Sequence, residues 1–215
     1  MGSRSTNAVL SFHESLLRQA DVDLLKGPNW LNDTLISFYF EYLEIKRFQK
    51  NPILLFVPPD VTQCVKMSRR GDLGTFLDPL DAKRREFIFF ALNDNEQTDH
   101  SGGSHWSLLV FSHPERMMFH FDSSRGSNQE QALELSIKLL QYFNMPTYGA
   151  FTEAASLQQS NSYDCGIHIL CNAEHIADYA CRSRKIENCP LVDRQTVIRK
   201  RSELLELIYT LQNSQ

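Results

Sequence analysis

His105-Trp106-Ser107-Leu108-Leu109-Val110-Phe111-Ser112-His113-Pro114-Glu115-Arg116-Met117-Met118-Phe119-His120-Phe121-Asp122 reads as two apolar strands joined by a turn at His113-Pro114. With that turn, Trp106, Leu108 and Val110 stand opposite Phe121, Phe119 and Met117 and make one continuous apolar surface. The same register sets His105 directly across from Asp122, on the other face and at the open end of the hairpin. Cross-strand neighbours have Cβ atoms about 4.5–5.5 Å apart, which an imidazole and a carboxylate can bridge. Such a pair is either structural or catalytic, and a nucleophile in a special setting is what separates the two.

Outward from the hairpin, residues 87–93 form another run of strand length and aromatic content. Between it and the hairpin, residues 94–104 are polar with paired glycines and read as an exposed mobile loop. Residues 9–12 and 53–57 read as further strands, the second stopped by Pro58-Pro59. Helical spacing covers residues 31–48, capped at Asn29 or Asn32, then 128–143, 165–182 and 193–211, with shorter pieces at 60–67 and 72–77. Helices at both ends of a central mixed or antiparallel sheet make an α+β domain.

Composition sets the bounds. The 215 residues, 42% hydrophobic, supply one sizeable core, so residues 1–215 are read as a single domain with residues 1–8 as a flexible N-terminus. A net charge of -4 argues against a dedicated nucleic-acid binder, and the basic run at residues 182–185 reads as a solvated helix face. The apolar run at residues 87–92 is too short to span a bilayer, and no membrane partner is expected. Met1-Gly2-Ser3-Arg4-Ser5-Thr6 fits the short, common pattern for N-myristoylation. Five cysteines without a CxxC pair imply a reducing compartment, cytoplasm or nucleus.

One of those cysteines has a setting of its own, in Gln158-Gln159-Ser160-Asn161-Ser162-Tyr163-Asp164-Cys165-Gly166. A polar loop ends there and an apolar helix begins, so Cys165 falls at a helix N-terminus, where free N–H groups and the macrodipole favour a thiolate. An imidazolium nearby would favour it further. Gly166 removes bulk where a substrate backbone must approach, and Gln159 lies close enough for its amide to join the Cys165 N–H at an oxyanion. The other fate of a cysteine is a buried inert thiol, which is the reading for Cys171, Cys181 and Cys64. Cys165, His168, Cys171 and His175 have suggestive spacing for a metal, but they share one helix. Ten residues of helix span about 15 Å, whereas zinc ligands meet within about 2.3 Å of one ion. No metal site is expected.

Gly102-Gly103-Ser104-His105-Trp106-Ser107-Leu108-Leu109-Val110, Phe121-Asp122-Ser123 and Gln159 through Gly166 resemble the sentrin-specific and yeast-type SUMO proteases, in the same order of His, Asp, Gln and Cys. Trp30-Leu31-Asn32-Asp33, Phe76-Leu77-Asp78-Pro79-Leu80-Asp81 and Leu92-Asn93-Asp94-Asn95 extend the likeness over nearly the whole chain, towards the deneddylases of that family.

The resemblance implies a papain-like cysteine protease fold and a thiol peptidase without a cofactor. Cys165 would be the nucleophile, His105 the base and later the acid, Asp122 the group orienting it, and Gln159 an oxyanion donor. Trp30 and Trp106 match tryptophans enclosing a slot over the modifier's Gly-Gly, although ordinary core packing is the other reading of Trp30. Asp33 matches an acid that meets an arginine before those glycines, and Gly102-Gly103 a loop that closes on substrate. His168 departs from the aromatic ring common in relatives, and the middle of residues 94–104 differs too. The expected partners are the NEDD ubiquitin-like modifier and its conjugates, such as cullins, met by a monomer. The rival readings are a SUMO or ubiquitin protease, a catalytically silent modifier-binding module, and an acyl transferase.

Overall fold

The computed structural model describes residues 7–97 and 102–214. Its centre is a five-stranded mixed sheet in the order β3 (Leu54–Val57), β4 (Phe87–Asn93), β5 (Trp106–Ser112), β6 (Met117–Phe121) and β7 (Phe151–Glu153). The inner pairs are antiparallel, while β3 joins β4 and β7 joins β6 in parallel. A hairpin of β1 (Ala8–Phe12) and β2 (Ser15–Arg18) stands apart from this sheet. β1 thus begins at Ala8, inside the stretch read as a flexible N-terminus; residues 1–6 lie outside those described.

Alternation along the strands builds two cores. Phe87, Phe89 and Ala91 of β4 pack with Leu108 and Val110 of β5 on one face, under α2 (Asp33–Tyr42), α6 (Cys165–Ser183) and α7 (Arg194–Gln212). Ile88, Phe90 and Leu92 pack with Leu109 and Phe111 on the other, under α3 (Pro59–Met67), α4 (Gly74–Leu77) and α5 (Gln129–Tyr142). A strand covered on both faces has no solvated side, which is why β4 and β5 read as near-continuous apolar runs. Each fully buried Phe here contributes roughly 1.5–3 kcal/mol.

The helix starts follow local chemistry. Asn32 caps α2 by accepting from Leu35 N at 3.1 Å, and Asp193 caps α7 by accepting from Gln195 N at 3.0 Å. Pro59 opens α3 at a position where its missing N–H costs nothing. α2, α6 and α7 are joined by Lys200, buried on α7, which donates to Glu174 at 2.9 Å and to the Tyr39 hydroxyl at 3.0 Å.

Two short strands escaped the sequence reading, β2 and β7, the latter only Phe151–Glu153. The hairpin register also differs. Leu108 pairs with Phe121 and Val110 with Phe119, so the strands are slid by two residues from the expected pairing. The cause is a longer turn. Pro114 takes the second position of a turn closed by Arg116 N–H donating to the His113 carbonyl at 3.2 Å, with Arg116 in the left-handed region at φ 54°. An even slide keeps every side chain on its expected face, so the apolar surface survives while the cross-strand neighbours change.

Candidate active site

The slide means that His105 is not directly opposite Asp122. Both lie just beyond the paired strands, His105 before β5 and Asp122 after β6, and they meet on the diagonal. His105 Nε2 and Asp122 Oδ1 are 2.6 Å apart and both residues are buried. Asp122 Oδ1 also accepts from Ser124 N at 2.8 Å, and Oδ2 from Asn128 N at 3.2 Å. A carboxylate so supplied with donors is held below the ordinary range: burial opposes the shift, and the His105 contact and the two backbone donors overcome it.

Cys165 is the first residue of α6 and is buried. The His105 ring lies near enough to the Cys165 thiol for the sulfur to raise its pKa, and with Nε2 taken by Asp122 the ring nitrogen left for sulfur is Nδ1. Burial works against the imidazolium, but Asp122 and Cys165 outweigh it and raise His105 from 6.5 to about 9. Thiol, imidazole and carboxylate therefore stand in line, with the sulfur at the positive end of a 19-residue helix.

Gln159 is fixed beside this line. Its backbone N–H donates to the Ser123 carbonyl at 2.9 Å, its Oε1 accepts from Ser123 Oγ at 2.7 Å, and its Nε2 donates to the Asn161 carbonyl at 2.6 Å. One Nε2 hydrogen remains for another acceptor. Gln158 ties the same loop down by donating to the Asp122 carbonyl at 2.9 Å. On the other side Asp164 receives Arg201 of α7 on Oδ1, from Nε at 2.9 Å and Nη2 at 2.7 Å. Arg201 also donates to the carbonyls of Leu24 and Asn29, so one side chain binds the helix start to the segment that carries Trp30. Ser123, Asn128, Gln158 and Arg201 were not singled out in the sequence. Each acts through partners distant along the chain, and only the Asp at position 164 hinted that a cation was needed.

Trp30 is 47% exposed, which removes core packing as its role; its indole N–H donates to the Ser162 carbonyl at 2.6 Å. Trp106 is buried and donates to the Leu31 carbonyl at 3.2 Å. The two indoles are thus linked through neighbouring residues beside Cys165. Gly166 has a structural reason of its own: a Cβ there would lie 2.9 Å from Leu31 Cβ, so the glycine admits the Trp30–Leu31 segment against α6. Asp33 opens α2 on the exposed side of its first turn, with desolvation and then Asp60 raising its carboxyl above the ordinary value. It borders a groove of about 650 Å³ that Glu14, Glu41, Asp60 and Asp81 also line.

The loop before His105 is anchored by Asp94, whose Oδ1 accepts from Ser104 N at 2.6 Å and His105 N at 3.1 Å. Gly103 has φ +87°, and a Cβ there would fall 1.8 Å from Asn93 Oδ1. Gly102 has room around it. Replacing Gly103 by alanine is expected to displace this anchor and cost about 2–3 kcal/mol of local strain. Peptidase activity in that variant should fall at least about tenfold while the far-UV spectrum stays native; native kcat/KM would show that the loop does not set His105. The mobility expected of this loop falls partly on residues 98–101, outside those described.

His168 is buried one turn after Cys165, and burial holds its imidazole below the ordinary value, so it adds no charge near neutral pH. Among the described residues no group of three or more His, Cys, Asp or Glu side chains could hold a metal. Cys64 is exposed on α3, against the expectation of apolar surroundings, because the buried face of that helix is formed by Pro59, Thr62 and Val65. Cys171 is the inert thiol expected, buried and pushed up to about 12 by desolvation. Cys181, the other thiol expected to be inert, is only half-buried on α6, and burial raises it too.

Residues 29–213 match the C-terminal catalytic domain of the Ulp1 protease family. The chain is similar to Sentrin-specific protease 8 of Homo sapiens, 38% identical over 206 residues that cover 94% of this chain and 97% of that protein. It is similar to NEDD8-specific protease 1 of Arabidopsis thaliana at 31% identity, over 83% of this chain and 80% of the relative. The fold matches the Ulp1 protease domain solved in complex with Smt3, the yeast ortholog of SUMO, with a TM-score of 0.74 at 19% identity, over 97% of this chain and 90% of the other. The α+β fold read from the sequence is therefore the papain-like one, and the chain belongs to the Ulp1 protease family of cysteine peptidases.

Proposed function

We propose that the chain hydrolyses the peptide or isopeptide bond after the terminal Gly-Gly of NEDD8, with Cys165 as nucleophile. The observation that carries this is the line from Cys165 at the start of α6 through His105 to Asp122. His105 takes the thiol proton and the sulfur attacks the carbonyl carbon of the last glycine. Electrons displaced onto the carbonyl oxygen meet the Cys165 backbone N–H and the free Nε2 hydrogen of Gln159. Collapse breaks the carbon–nitrogen bond, and the amine leaves with the proton from His105. Water then gives a proton to the same imidazole, attacks the thioester, and frees modifier and thiol. These steps require no cofactor.

The modifier's tail would pass between Trp30 and Trp106, a slot suited to residues without side chains. Asp33 and the acidic groove beside it suit an arginine ahead of the glycines. NEDD8 is preferred over SUMO because a relative bearing its name, NEDD8-specific protease 1 of Arabidopsis thaliana, is 31% identical over 83% of this chain. Its conjugates, such as cullins, are the proposed physiological substrates, met by a monomer in the cytoplasm or nucleus.

Vinyl-sulfone probes built on NEDD8, SUMO and ubiquitin test the assignment. Labelling of Cys165 by the NEDD8 probe alone is the expected result. Labelling mainly by another would keep the chemistry and change the substrate, and labelling by none would make a silent binding module the better reading.

The His105 shift gives a pH prediction. Its folded value of about 9 lies above the ordinary 6.5, so the imidazolium persists through neutral pH and is lost as pH rises through about 9. With the thiolate–imidazolium pair as the reacting form, kcat/KM should fall on the alkaline side with a midpoint near that value. A profile still rising at pH 10 would contradict the pair.

A further inference from the structure

His120 is completely buried on β6, two residues before Asp122, and the chemistry above makes no use of it. Its Nδ1 lies 2.7 Å from Glu153 Oε1 on β7, and its Nε2 lies 2.9 Å from Ser107 Oγ on β5. Ser107 Oγ is 3.0 Å from Asn128 Nδ2. Asn128 in turn touches both members of the candidate pair: its Nδ2 donates to the His105 carbonyl at 3.4 Å and its backbone N–H to Asp122 Oδ2 at 3.2 Å. A row of buried polar groups thus runs from the partly exposed Glu153 to the His105–Asp122 contact.

The protons along this row can be assigned. The His105 carbonyl only accepts, so the amide nitrogen of Asn128 must face it. The same nitrogen then donates to Ser107 Oγ, and Ser107 passes its own proton to His120 Nε2. With Nε2 accepting, His120 carries its proton on Nδ1 and donates it to Glu153. Every link points outward, and the carboxylate at the end decides which nitrogen of His120 is bare.

We propose that Glu153, through His120, Ser107 and Asn128, is a positioning residue for the His105–Asp122 pair. The proposal rests on the reading of Cys165, His105 and Asp122 as the working centre. Without an acceptor at position 153, His120 can hold its proton on Nε2 and donate to Ser107. Ser107 then accepts from both sides, and its own proton has no acceptor in a fully buried position. Asn128 Oδ1, buried with no hydrogen-bond partner among the described residues, can take that proton only if the amide turns over. Turning it withdraws the donor from the His105 carbonyl and loosens the pair.

The test compares Glu153→Ala with Glu153→Gln, whose amide oxygen still accepts from Nδ1–H. Glu153→Ala should lower kcat about five- to tenfold with KM little changed, and Glu153→Gln should recover most of that loss. Nitrogen-15 spectra of labelled histidine should place the His120 proton on Nδ1 in the native protein and in Glu153→Gln, and on Nε2 in Glu153→Ala. The double variant Ser107→Ala/Glu153→Ala should lose no more than either single one, since both cut the same chain. A native spectrum with the proton on Nε2, or native kcat in Glu153→Ala, would overturn the proposal. If the native protein cleaved no modifier, the reading of the centre would fall on that result alone, while the tautomer would still decide the chain.

Discussion

Cys165→Ala should leave no measurable turnover, a loss of at least about 10⁴-fold in kcat, while modifier binding stays close to native. The sulfur is the proposed nucleophile, and no second thiol is placed to replace it: Cys171 lies deeper along α6 with its proton held by burial. Because the position is buried at the start of a helix where alanine is well tolerated, the fold should survive. Removing one buried sulfur costs about 1 kcal/mol, or a few degrees in Tm for a chain of this size. Calorimetric titration with the modifier, beside single-turnover cleavage of a conjugate, separates the two effects. Residual turnover within about tenfold of native would remove Cys165 from the mechanism.

Asp122→Asn should cost about 10²–10³-fold in kcat, from charge and from hydrogen-bond direction. The native carboxylate only accepts, and three donors converge on it: His105 Nε2, Ser124 N and Asn128 N. An amide must turn an NH₂ towards one of them, setting donor against donor in a buried site. The lost negative charge also removes the largest support for the raised value of His105, so the alkaline limb of kcat/KM should move from near pH 9 towards neutrality. A pH series on the variant reads both. An unchanged limb would mean that Asp122 orients His105 without holding its proton.

Much of this was legible in the chain. Phe87–Asn93 was bounded correctly, and the first arm of the hairpin ended at Ser112 just before His113-Pro114, because a strand buried on both faces carries an uninterrupted apolar signal. Cys165 announced itself by the change from polar loop to apolar helix, and Asn32 was one of the two asparagines offered as a cap ahead of helical spacing. β7 did not, since three residues on a sheet edge carry too few apolar positions to form a pattern. The hairpin gave the right faces and the wrong neighbours, because side-chain alternation is blind to a slide of two residues and the turn length rests on Arg116 accepting a left-handed backbone.

The division has one physical origin. Local sequence determined which residues seek burial, where helices start, and which types of group carry chemistry: a thiol at a helix start, an imidazole and a carboxylate at one end of a hairpin. Tertiary structure alone decided that Gly166 makes room for Leu31, that Arg201 clamps Asp164, and that His105 reaches Asp122 on the diagonal. Each of those depends on the distance between segments far apart in the chain, and such distances are set by the packing of whole elements rather than by any run of residues within them.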